Sequence, residues 1–94
     1  MTSKQRAVLR RLANQLDPVV YVGKEGLTAV IISETELVLE KRELIKVQVQ
    51  VGCDLSSREV ANTMSEKLNA DVITVLGKRF VLYRKAKKDS QNLI

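Results

Sequence analysis

Val19-Val20-Tyr21-Val22 runs directly into Gly23-Lys24-Glu25-Gly26 and then into Leu27-Thr28, so an apolar strand is joined to a helix start by a four-residue loop with glycine at each end. Few backbones accommodate that succession. Glycine lets the main chain take positive φ and approach another group with no Cβ in the way, and the first amides of a following helix have no intrahelical acceptor. Such a loop can lie flat against an anionic backbone with those amides turned outward as donors. A plain strand-to-helix turn would use the same residues, so the loop fixes a local geometry before it fixes a role.

The flanking segments follow from periodicity. Thr2 and Gln5 have capping-box spacing, and Val8, Leu9, Leu12, Ala13 and Leu16 recur at helical intervals, with Arg6, Arg10 and Asn14 on the opposite face. Asp17-Pro18 ends that helix, because the residue before proline is pushed out of the α region. From Leu27 to Glu43 the apolar residues fit either one helix or two strands; a helix is favoured because neither glycine nor proline interrupts the segment. Leu44 to Val51 alternates strictly, Ile45, Val47, Val49 and Val51 against Lys46, Gln48 and Gln50, as a half-buried strand does. Ser56 and Glu59 repeat the capping box before a helix closing at Asn69-Ala70, and two last strands flank a tight turn at Gly77-Lys78-Arg79. The order αβαβαββ predicts an α/β fold with a mixed four-stranded sheet and three helices.

With 94 residues this is one domain, expected over 1–88, with the polar stretch 89–94 a disordered tail. No apolar run is long enough for a membrane span and no apolar signal core follows the charged start, so a cytoplasmic protein is expected. Cys53 has no partner for a disulfide, and there is no histidine, so no metal and no cofactor are expected. The same absences leave nucleophilic and imidazole chemistry without a cast, and Gly23 to Gly26 is too short for a nucleotide-hydrolase phosphate loop. A non-enzyme is expected. Glu36, Glu40 and Glu43, with Lys41 and Arg42 among them, read as a solvated helix face.

Charge is distributed unevenly. Sixteen Lys plus Arg face eleven Asp plus Glu, for a net +5. Lys4, Arg6, Arg10 and Arg11 near the start, and Lys78, Arg79, Arg84, Lys85, Lys87 and Lys88 near the end, sit in stretches with no acid. If the two basic ends converge beside the glycine loop they form one phosphate-binding surface. Aromatic residues are few: Tyr21, Phe80 and Tyr83 all lie in apolar strands where a core role is the default, which disfavours a base-stacking sheet.

Three stretches together resemble the CRM domain (chloroplast RNA splicing and ribosome maturation) in its small stand-alone bacterial form, the YhbY family. They are Pro18 to Thr28, Leu39-Glu40-Lys41-Arg42-Glu43-Leu44-Ile45-Lys46-Val47, and Val75-Leu76-Gly77-Lys78-Arg79-Phe80-Val81-Leu82-Tyr83-Arg84. The resemblance implies a fold like the C-terminal domain of bacterial translation initiation factor 3 with one extra N-terminal helix, and it implies a helix for the ambiguous segment. It also implies RNA as the partner, specifically rRNA of the large-subunit precursor during ribosome biogenesis, with the Gly-x-x-Gly loop as an RNA contact. That contact maps onto Gly23, Lys24, Glu25 and Gly26; Glu25 puts a negative charge inside the loop, so the contact is expected to be weakened there or carried mainly by Lys24. Arg6, Arg10, Lys46, Lys78, Arg79 and Arg84 complete the expected RNA-binding set. A monomer is expected, although nothing in the sequence sets the oligomeric state. The alternative is a protein-docking module that uses the face bearing Lys46, Gln48 and Gln50.

Overall fold

Capping sets where the helices begin. In the computed structural model, which describes all 94 residues, the Thr2 hydroxyl accepts from the Gln5 amide while the Gln5 side chain accepts from the Thr2 amide, opening α1 (Ser3–Ala13). Ser56 and Glu59 reciprocate in the same way at the start of α3 (Ser57–Leu68), which Asn69 closes in the left-handed conformation. Between them lie β1 (Pro18–Val22), α2 (Ala29–Arg42) and β2 (Leu44–Val49), and the chain ends with β3 (Asp71–Leu76) and β4 (Arg79–Tyr83). The ambiguous segment is thus a helix, with Thr28 as its N-cap.

The strands form one mixed sheet in the order β1-β2-β4-β3, with β1 parallel to β2 and the other pairs antiparallel. Alternation along β2 sends Ile45, Val47 and Val49 to a face where Val20, Val22, Phe80 and Leu82 join them under α2 and α3, against Leu39, Val60, Met64 and Leu68. On the other face Leu44, Ile73, Val81 and Tyr83 receive Leu9 and Ala13 of α1. The result is three layers, with one helix on one side of the sheet and two on the other. β2 stops short of its expected end: Val51 is 86% exposed, out in the loop beyond Gln50, because β4 turns away at Arg79 and offers no further pairing.

Glu43 closes α2 at a positive φ of 67°, fully buried among polar partners. Its carboxylate accepts from the amides of Ala86 and Gln91 and from the Ser90 hydroxyl. Burial alone would raise its pKa, but those three donors, helped by nearby Lys85, bring it below the ordinary glutamate value. The last residues are therefore held rather than trailing as composition suggested: Ala86 is buried, the Gln91 side chain reaches the Lys41 carbonyl, and Leu93 packs against the α1 side of the sheet.

Candidate nucleic-acid interface

Because β1 and β2 are parallel, the loops that follow them lie at the same end of the sheet; because β4 runs back against β2, the β3–β4 turn lies there too. Two backbone bonds fix the arrangement. The Gln50 amide donates to the Val22 carbonyl at 2.8 Å, and the Val49 amide donates to the Lys78 carbonyl at 2.7 Å. The Gly23–Gly26 loop and the Gly77–Lys78 tip are thus separated by the width of β2, two strand spacings or ~10 Å.

Each loop glycine has a local cause. A Cβ on Gly23 would stand 2.8 Å from Gln50 Oε1, so the side chain of the neighbouring loop occupies its space. Gly26 donates to the Gly23 carbonyl to close the turn and has φ of +72°, with open space around it. Lys24 and Glu25 are exposed at the tip, and the amides of Ala29 and Val30 at the α2 start have no protein acceptor. That end of α2 has no acidic residue in its first turn, so the helix dipole there is uncompensated.

On the α1 side of the sheet lies a groove of about 810 Å³ between that helix and strands β2, β4 and β3. Lys4, Arg10 and Arg11 reach it from α1, Lys46 from β2 and Arg79 from β4, and no carboxylate lines it. Its floor is apolar, with Val8, Leu76 and Val81. Arg79 continues the cationic lining toward β1 by donating from Nε to Gln48 Oε1 at 3.2 Å. Lys78 is exposed at the turn beside it.

The expected set therefore divides. Arg10, Lys46 and Arg79 meet in the groove, while Lys24 and Lys78 sit at the loop end of the same sheet. Arg6 does not share the Arg10 face as a free cation: its guanidinium donates to the carbonyls of Val72 (2.6 Å) and Ile73 (3.2 Å), two successive groups that the register shift in β3 leaves available to one donor. Arg84 is committed too. It pairs with Glu36 and Glu40, donates to the Leu68 carbonyl at 3.0 Å, and has a side chain only 13% exposed. Since Tyr83 pairs with Leu44 at the start of β2, Arg84 and the following Lys85, Lys87 and Lys88 lie at the sheet end opposite the glycine loop. The two basic ends converge only in part, Lys4, Arg10 and Arg11 with Arg79, because the hairpin carries only its tip upward and returns the chain to the bottom.

Two groove cations, Lys4 and Arg11, belong to the basic start but stand outside the expected RNA-binding set. Their spacing of seven, two helical turns, was the available signal. Tyr21 also departs from expectation: Phe80 and Tyr83 are buried, but Tyr21 is 48% exposed.

The profile of the CRS1 / YhbY (CRM) domain family matches residues 1–84, the whole of the sheet and all three helices. The chain belongs to the CRM family. Among CRM relatives, the probable RNA-binding protein YqeI of Bacillus subtilis is 34% identical over 91 residues, covering 97% of this chain and 95% of its own. An RNA-binding protein of Haemophilus influenzae is 36% identical over 85 residues, covering 89% and 85%. The solution structure of a hypothetical protein from Staphylococcus aureus superposes with a TM-score of 0.77 at 35% identity, over 96% of this chain and 94% of that one. The CRM match ends at Arg84, so the strap over Glu43 lies beyond it.

Proposed function

We propose that this CRM domain is a non-catalytic RNA-binding protein that grips the phosphate backbone with the α1–sheet groove and the Gly23–Gly26 loop, and that its RNA is rRNA of the large ribosomal subunit during assembly. The observation that carries the first part is the groove: five cations from three elements line it with no acid among them, an arrangement that repels itself unless an anion fills it. The loop adds neutral donors, the free amides of the α2 start, and one cation, Lys24. The names of the relatives point to RNA. The ribosomal assignment rests on the family resemblance of the three sequence stretches.

Filter binding of labelled large-subunit rRNA fragments across a salt series tests the reading. About five phosphate contacts give a log-log slope near −4.5; a flat response would reject the groove as an RNA site. Sedimentation of the protein with subunit precursors, lost on nuclease treatment, is the expected result for the ribosomal part. Retention after nuclease would instead identify a protein partner.

A further inference from the structure

Val20 and Val22 point into the core beneath α2, so Tyr21 between them points to the opposite face, the one that carries Lys46 and Gln48. There it pairs in register with Gln48. The α1 helix covers this face only over Leu44, Ile73, Val81 and Tyr83, which belong to β2, β3 and β4, and leaves the β1 side open. A half-exposed aromatic on an uncovered strand contributes little to folding for its size. Its sole protein hydrogen bond is a long one, 3.4 Å from the hydroxyl to the Pro18 carbonyl.

The residue opposite it on β2 is polar and has unused donors. Gln48 gives only its Oε1, to Arg79 Nε, so the Gln48 amide NH2 and the terminal nitrogens of Arg79 have no protein acceptor. Two residues beyond Tyr21, ~7 Å along the strand, the Gly23–Gly26 turn begins, short enough for one nucleotide to span. We propose that Tyr21, with Gln48 and Arg79 beside it, is a subsite for one unstacked base of single-stranded RNA. The phosphate of that nucleotide lies toward the loop, and the RNA recognised is a bulge, loop or end rather than an uninterrupted duplex. Stacking on the ring discriminates unpaired from paired bases because a paired base offers no free face. This rests on the groove reading and refines its ligand.

The chain offers a built-in reporter. It has no tryptophan and two tyrosines, so in a Tyr83→Phe background Tyr21 is the only source of tyrosine emission. Titration with a single-stranded oligoadenylate is expected to quench that emission, and a blunt RNA duplex of equal phosphate number is expected to leave it nearly unchanged. Tyr21→Ala should weaken oligoadenylate binding roughly 5- to 150-fold, the range for loss of one base–aromatic stack, with the salt slope unaltered and duplex binding within about twofold. Tyr21→Phe should bind as the unaltered protein does. Unquenched emission, or equal losses on both RNAs in Tyr21→Ala, would overturn the subsite while leaving the groove in place. A flat salt response of the unaltered protein with both RNAs would instead remove the groove reading itself.

Discussion

At one end of the sheet Lys78, Lys24 and the terminal nitrogens of Arg79 stand free around glycine turns; at the other, Arg84 is folded between Glu36, Glu40 and the Leu68 carbonyl while Glu43 gathers the amides of the last residues. The cations are chemically alike and differ in what their surroundings already supply. Glu36 and Glu40 stand in the C-terminal half of α2, which lies near the start of β2, so these acids engage Arg84 at the bottom of the molecule. Positive charge in sequence is therefore a poor guide to binding until the partners are placed. A cation whose terminal nitrogens are taken by internal acceptors is part of the fold, and one whose terminal nitrogens are left over is available to a ligand.

That contrast can be broken most visibly at the bottom. Glu43→Ala leaves three donors without their acceptor in a buried site, and a loss of about 3 kcal/mol is expected. In a domain of this size that lowers Tm by more than about 10 °C, read by thermal melts, and the C-terminal strap should become protease-sensitive. The charge can be removed more gently by acid. The folded pKa of Glu43 lies below the ordinary 4.5, so the unfolded chain binds the proton more readily; the stabilisation is fully present above about 4.5 and is lost as pH falls through the folded value. Glu43→Gln should flatten that part of the pH–stability curve, and an unchanged acid limb would show that other carboxylates set it.

Arg84→Met should cost about 2 kcal/mol, less than Glu43→Ala because Glu36 and Glu40 remain partly exposed and can rehydrate. Its RNA salt slope should match that of the unaltered protein. Smaller still is Gly26→Ala, where open space removes any clash and only the φ of +72° resists; about 1 kcal/mol is expected in a denaturant titration. Gly23→Ala meets Gln50 Oε1 instead, so pairing it with Gln50→Ala should recover most of its loss, separating the two glycines by cause.

Much of the fold was legible. Both capping boxes and the glycine of the last turn name local geometries that the tertiary structure keeps, whereas α1 ends at Ala13, four residues before Asp17, and the alternation of β2 holds only as far as Val49. α2 was ambiguous for a physical reason: Val30 and Leu37 are 68% and 72% exposed, so apolar residues run around the helix and blur its period. At the site, the loop and the outward set of Lys46 and Gln48 could be read from glycine spacing and strand alternation. Arg6 and Arg84 could not, since their partners lie 66 and 48 residues away in the chain. The exposure of Tyr21 likewise depends on how far α1 reaches across the sheet, which no local pattern encodes. The polar tail was misjudged by composition because its anchor, Glu43, looked like one more surface acid.

The central claim, that terminal nitrogens left without internal acceptors select the RNA-contacting cations, is tested most directly by measuring RNA affinity against salt for Arg10→Ala, Arg79→Ala and Arg84→Met side by side. Slopes should shallow by about 0.9 for each of the first two and stay unchanged for the third. Equal shallowing in all three, or in Arg84→Met alone, would contradict it.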